Sequence, residues 1–351
     1  MDKQNATIKG RGAADNPQGR FERLARSAEP DEEGKSTPAT VVTLQQARSI
    51  ITRNDSPDIP FTQSINPYQG CEHGCIYCYA RPSHAYLGLS PGLDFETKLF
   101  AKANAAELLR KELSRPGYRC EVIALGANTD PYQPIEREHR ITRAILEVLR
   151  EFRHPVGIVT KSSLIERDLD LLAPMAAEGL VHAFISVGTL DAEIARRLEP
   201  RAAAPYRRIE ALRRLDEHGI PCGVLVAPMI PFLNDKDMES VLEAAHEAGA
   251  RMAGYTIVRL PWEVKDLFKD WLERHYPLKA AHIMARIRDM RGGRENDPEF
   301  GSRMRGEGPF AELIGKRFDV TCKRLGLNTG ERNRLDTAKF RLPDPAQRLL
   351  F

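Results

Sequence analysis

Between Phe61 and Val258 the chain alternates six strand-forming runs with stretches of helical period, and that alternation leaves few folds open. Phe61–Asn66, Glu121–Gly126, Val156–Thr160, Ala183–Val187, Cys222–Ala227 and Gly254–Val258 are the strand runs. Several are apolar along most of their length, the mark of a parallel strand buried on both faces. Thr97–Leu113, Arg140–Phe152, Ile165–Glu178, Asp191–Leu198, Tyr206–His218 and Met238–Ala248 read as the helices between them. Strands separated by helices pair in parallel through right-handed crossovers. Six units are too few for the eightfold barrel. Ligands of such sheets sit at the carboxyl ends of the strands.

A cysteine loop follows the first strand, at that end of the sheet. Gly70-Cys71-Glu72-His73-Gly74-Cys75-Ile76-Tyr77-Cys78-Tyr79 spaces three cysteines as C-x3-C-x2-C. Thiolates are the usual ligands of iron–sulfur clusters, normally four of them. Three leave one iron open for a substrate or cofactor. Zinc sites more often pair two C-x2-C knuckles, and no second pair follows here. Cys120, Cys222 and Cys322 lie far apart and read as plain core thiols. The loop after the second strand, Gly126 to Glu136, crowds Asn128, Thr129, Asp130 and Gln133 together at a strand exit.

These residues resemble the radical S-adenosylmethionine (radical SAM) superfamily. Pairing C-x3-C-x-Y-C-Y with Thr129-Asp130-Pro131-Tyr132-Gln133 is similar to its spore photoproduct lyase-like, or DNA-repair photolyase-like, group. Gly10-Arg11-Gly12, Asn16-Pro17 and Arg20-Phe21-Glu22 look like a bacterial subfamily of that group whose substrate is not established. The resemblance implies a partial (β/α)6 parallel barrel. It implies a [4Fe–4S] cluster on Cys71, Cys75 and Cys78, with S-adenosylmethionine (SAM) on the open iron. Reductive cleavage would then give a 5′-deoxyadenosyl radical that takes hydrogen from a substrate, fed by an electron donor of flavodoxin or ferredoxin type. Tyr77 would touch the adenine edge. Asn128-Thr129-Asp130 stands where the family commonly has a Gly-Gly-Glu-like segment, with Asp130 for the SAM ammonium. Ser162 and Ser186 would meet ribose or carboxylate, Arg201 the carboxylate, and Met229 the adenine. A fourth ligand would block SAM, so His73 is at best a donor to cluster sulfur. For the hydrogen-returning cysteine of spore photoproduct lyase, Cys120 just before the second strand and Cys222 at the start of its strand lie at the far end, while Cys322 in the extension is unconstrained. A non-catalytic iron–sulfur or zinc protein that acts through a partner is the alternative.

The flanks divide the chain into a loose N-terminal segment (1–55), the core domain (56–265) and a helical C-terminal extension (266–351). Thr40–Leu44 reads as a short edge strand. In the extension, Leu267–Arg274, Leu278–Arg291 and Phe310–Leu325 read as helices that cover the barrel mouth. It carries 18 Lys/Arg against 13 Asp/Glu, within a chain whose net charge is only +3. Arg286, Arg288, Arg291 and Arg294 could follow a phosphate backbone, so nucleic acid stays open as a partner. No run is long and apolar enough to span a bilayer, and no apolar region follows Met1–Asn5, so a cytoplasmic protein is expected.

Overall fold

A computed structural model describes residues 7–21, 38–330 and 334–343. Its strands are β1 (Val41–Gln45), β2 (Ile51–Arg53), β3 (Gln63–Ile65), β4 (Tyr68–Gln69) and β5 (Lys98–Lys102). They continue with β6 (Ile123–Leu125), β7 (Val156–Thr160), β8 (Val181–Ser186), β9 (Cys222–Met229) and β10 (Met252–Ile257). The main sheet runs β10-β9-β8-β7-β6-β3-β2. From β3 to β10 every pairing in it is parallel, and only β2 pairs antiparallel, on β3. The six parallel strands are the six runs legible in the sequence, in chain order from β3 outward.

The helices between these strands bury one face each. In Ile141–Glu151 the buried residues are Ile141, Thr142, Ile145, Leu146, Val148 and Leu149, at the spacing of one helical face. These join Ile123, Leu125, Val156, Ile158, Val181, Ile185, Val224 and Val226 in one core. Burying such aliphatic side chains contributes about 1.5–3 kcal/mol each, so strand order and helix faces enforce one another.

One helix expectation fails. Thr97–Leu113 is not continuous: a helix ends at Thr97, β5 follows, and helix begins again at Ala105. Within β5, Leu99 and Ala101 are buried while Lys98 is exposed, a period of two. Pairing with β1 on one side and β4 on the other decides it. The resulting sheet β1-β5-β4 puts the anticipated edge strand on its rim.

Within the N-terminal segment, residues 11–13 are anchored and not loose. Arg11 is 7% and Ala13 1% exposed. Residues 1–6 and 22–37 of this segment lie outside the described residues.

Past β10, Val264–His275 and Pro277–Asp289 pack with Ile76, Tyr77, Ile194, Leu198, Ile230 and Leu233 in a second core at the carboxyl ends of the strands. Trp271, fully buried there, donates Nε1–H to the Arg197 carbonyl at 3.1 Å. Gly308–Leu325 instead lies against β10 and the helix Met238–Glu247, through Phe318 on Tyr255 and the Arg317–Glu239 fork. The four arginines of the extension are not a free row. Arg291 is buried and donates to the carbonyls of Val258, Ser302 and Arg303 at 2.8, 3.0 and 2.8 Å. Arg286 pairs with Asp289 and Arg288 with Glu295. Only Arg291 is an internal strut; Arg286 and Arg288 sit half-buried in surface pairs, and Arg294 is exposed. Among the described residues no helix is long and apolar enough to cross a membrane.

Candidate cofactor site at the strand ends

The cysteine loop leaves β4 and is held by backbone on two sides and by a turn of its own. Cys71 N–H donates to Phe95 O at 2.9 Å, Ile76 N–H to Leu198 O at 3.1 Å, and Cys78 N–H to Cys75 O at 3.2 Å. Gly74, inside the loop, has φ +67°, and a Cβ there would stand 2.7 Å from Glu96 Oε2. Only glycine combines that backbone with so close a neighbour.

Cys71 and Cys75 are buried and Cys78 is partly accessible. Cys78 packs both on Cys71, beside Ala80 and Phe95, and on the group of Cys75, Ile76 and Tyr77. Burial raises all three thiol pKa values; Asp130 adds to this at Cys71 and Glu199 at Cys75. Lys161 and Arg81 oppose it at Cys78. Thiolates here would therefore need a positive partner, which a metal centre supplies. Among the described residues no three His, Cys, Asp or Glu side chains gather as the shell of one ion. Three thiols on one loop are the donor set of a cubane that keeps one iron open, whereas a closed zinc shell asks for a fourth ligand.

Asp130, at the exit of β6, is the most heavily engaged carboxylate of the site. Its Oδ1 accepts from Tyr132 N–H (2.9 Å) and the Thr160 hydroxyl (2.6 Å). Its Oδ2 accepts from Lys161 N–H at 2.7 Å and stands 3.3 Å from His73 Nδ1. Burial pushes its pKa up, but His73 and these hydrogen bonds outweigh burial and bring it down to about 2. A carboxylate offers about four lone-pair sites, and four partners already surround this one. His73 faces Asp130 and not a free opening.

The neighbouring candidates fall as follows. Asn128 is exposed, and its N–H donates to Asn66 Oδ1 at 2.9 Å. Thr129 is buried, its hydroxyl on Tyr68 O at 2.9 Å. Ser162 caps the turn after β7, accepting from Leu164 N–H at 3.2 Å. Ser186 is buried at the end of β8, its carbonyl taken by Arg208 Nη1 at 3.0 Å. Arg201 pairs with Glu72 at 2.9 Å, next to the cysteine loop. Met229 is fully buried in the main core and offers a ligand no surface; half-buried Pro228, just before it, lines a small cavity with Tyr77, Glu199, Arg208 and Asn234. Tyr77 is 8% exposed, and its hydroxyl donates to Glu199.

Glu199 marks what sequence reading missed. Its carboxylate takes Tyr77 on Oε1 and Arg208 on Oε2, the latter at 2.5 Å, with the charge of Lys161 close by. Burial raises its pKa, but Arg208 and Lys161 outweigh burial and leave it lowered. The group fixes the wall behind Cys75. Glu199-Pro200-Arg201 drew attention in the sequence for its arginine, whereas the glutamate is the member turned inward.

Two further residues line the mouth. Tyr79 follows Cys78 and donates its hydroxyl to Ala127 O, in the loop after β6. Across from it Arg259, just past β10, lies with its guanidinium carbon 5.7 Å from the Tyr79 ring centre. Tyr79 is 48% exposed, and desolvation, then the neighbouring Cys78, raises its pKa. Desolvation, then Arg303, lowers the Arg259 pKa. Its Nε has no partner among the described residues, and Nη1 reaches the sulfur of Met304 at 3.7 Å.

Comparison with known proteins agrees with this architecture. The sequence profile of the Radical SAM superfamily matches residues 65–245. An uncharacterized protein of Mycobacterium tuberculosis is 36% identical over 263 residues, covering 74% of this chain and 75% of its own. One from Methanocaldococcus jannaschii is 28% identical, covering 61% and 76%. Among solved structures, spore photoproduct lyase complexed with dinucleoside spore photoproduct superposes with a TM-score of 0.57 at 15% identity, covering 82% of this chain and 80% of that one. That likeness is one of fold, the partial barrel. Family membership implies a [4Fe–4S] cluster and SAM, and a catalytic role. A profile match across half the chain, a relative of that identity, and three cysteines at the strand ends agree: the chain belongs to the radical SAM superfamily.

Proposed function

We propose that this chain is a radical SAM enzyme whose Cys71, Cys75 and Cys78 hold one [4Fe–4S] cluster, and that its substrate is large, with a nucleic-acid strand the class its mouth favours. The observation that carries the first part is the placement of all three thiols on one braced loop at the strand ends. When bound, the cluster and SAM would supply one-electron reductive cleavage of the sulfonium, giving methionine and a hydrogen-abstracting 5′-deoxyadenosyl radical. The chain's own residues hold and shield. Tyr77, Glu199, Lys161 and Arg208 fix the wall beside Cys75. Asp130 braces the exits of β6 and β7 against the loop. Asn128, Ser162 and Arg201, the less buried of the predicted contacts, are those left to meet SAM.

The test is anaerobic reconstitution with iron and sulfide, reduction by dithionite, and chromatography for methionine and 5′-deoxyadenosine. Both products are expected, in equal amounts, and a reduced flavodoxin or ferredoxin should replace dithionite. Iron-loaded protein that yields neither product would leave the non-catalytic reading standing.

The substrate class rests on the mouth. Tyr79 is 48% exposed, with the Arg259 guanidinium carbon 5.7 Å from its ring centre. An aromatic face beside an arginine suits an unstacked base on a charged backbone. A single-stranded oligonucleotide should bind, more weakly as salt rises. Arg259→Glu should reduce the slope of log affinity against log salt by about 0.7, one lost phosphate contact. Binding that is absent even at low salt would remove the nucleic-acid reading and turn attention to a protein substrate.

A further inference from the structure

The motif Gly10-Arg11-Gly12, far from the cysteines in sequence, lies on them in the fold. Glu96 is fully buried and its carboxylate is shared. Oε1 accepts from Arg81 Nη2 at 2.5 Å and from Ala13 N–H at 2.9 Å; Oε2 accepts from Gly12 N–H at 3.0 Å. Arg81, also fully buried, donates Nε–H to the Cys75 carbonyl at 2.9 Å and Nη2 to the Gly74 carbonyl at 3.1 Å. One carboxylate thus joins the N-terminal arm to the backbone of the cysteine loop. The approach is as close as backbone permits, since a Cβ on Gly12 would stand 1.9 Å from Gly74 O.

The arm is fastened along its length. Arg11 donates to Glu96 O at 2.9 Å, Pro38 O at 2.8 Å and the Thr40 hydroxyl at 3.0 Å. Thr40 donates on to Glu72, a member of the cysteine loop, at 2.5 Å. Asn16 Oδ1 accepts from Asp94 N–H at 2.8 Å while its Nδ2 donates to Asp94 Oδ1 at 3.1 Å. Ala13, 1% exposed, packs in the apolar group of Cys75, Ile76 and Tyr77.

We propose that residues 11–16 are a clasp over the cysteine loop, positioning its three thiols and closing the outer side of the cluster to water and oxygen. The inference rests on the cluster reading given above. No residue of the clasp is a ligand. Groups that orient ligands from behind commonly change metal retention by 10–100-fold when altered, and through Glu96 the clasp holds Arg81, which grips two loop carbonyls, one of them on a ligand residue.

The experiment compares the intact chain with Gly12→Val, Asn16→Ala and a chain lacking residues 2–17. Each is reconstituted anaerobically, assayed for iron and sulfide, then opened to air while the charge-transfer absorption is followed. Melting of the iron-free proteins is measured alongside. Expected is chromophore loss about tenfold faster in Gly12→Val, with a smaller acceleration in Asn16→Ala and iron-free melting of Asn16→Ala close to the parent. Equal lifetimes in air overturn the clasp. So do lifetimes that merely follow the loss in melting temperature, because that is a structural role alone. If the truncated chain does not fold, the two point variants decide. Failure of the intact chain itself to take up iron would instead overturn the cluster reading, so the two failures are distinguishable.

Discussion

Replacing Cys75 by alanine is expected to leave the fold in place and remove the chemistry. The parent should carry about four irons per chain, and the variant close to none, because two thiolates cannot hold a cubane that is normally tied by three or four. SAM cleavage should fall to the uncatalysed background. Cys75 is 7% exposed and packs on Ile76 and Tyr77, so its loss creates little space. The iron-free variant should lose no more than about 1 kcal/mol of stability, a typical single-substitution effect. Cys71→Ala and Cys78→Ala should behave alike. The control is Cys222→Ala at the start of β9, whose thiol lies against Leu212 O at 3.7 Å, remote from the loop; its iron content should match the parent. A Cys75→Ala chain that still binds four irons and cleaves SAM would remove the assignment of ligands, whatever the family.

The contrast between those two cysteines was legible in the sequence. A thiol that opens a parallel strand lies at the amino end of the sheet, away from the ligand face. The same reasoning placed the cysteine loop, because six apolar runs and six helical patterns admit essentially one winding. It could not reach side-chain partners separated by many positions. Glu199, Arg208 and Lys161 come together because the exits of β7 and β8 are adjacent, and nothing in their spacing announces it. A strand as short as β5 was absorbed into the neighbouring helix, since Leu99 fits both a period of two and a period of 3.6. The arm failed for a different reason. Polar, glycine-rich composition was read as looseness, but its backbone N–H groups and Arg11 are satisfied by Glu96. Composition reports how much apolar surface a segment can bury and not whether a buried carboxylate awaits it. Charge counting misled similarly with Arg291, a cation used as an internal strut for four carbonyls.

Asp130 gives the sharpest remaining expectation, because its position invites one role and its partners suggest another. It stands where a carboxylate for the SAM ammonium was expected, yet four groups of the chain already surround it. Against its burial, His73 and the hydrogen bonds around it hold its pKa down to about 2, below the ordinary aspartate value of 3.8. A depressed carboxylate contributes stability that is present above pH 3.8 and is lost as pH falls through 2. The difference amounts to about 2 kcal/mol at neutral pH. Asp130→Asn keeps the volume but turns an NH2 toward donors that now lack an acceptor, costing about 1–3 kcal/mol for the group left unsatisfied. Expected is a clear fall in melting temperature at pH 7 that narrows when parent and variant are compared near pH 3. Expected as well is an equal weakening of SAM and of 5′-methylthioadenosine, which carries no amino-acid moiety, since a loosened brace shifts the whole loop. Equilibrium binding of both compounds to the cluster-loaded variant measures this. A loss confined to SAM, with melting unchanged, would make the carboxylate a direct ligand of the ammonium and would mean that the Lys161, Thr160 and His73 contacts give way when SAM binds.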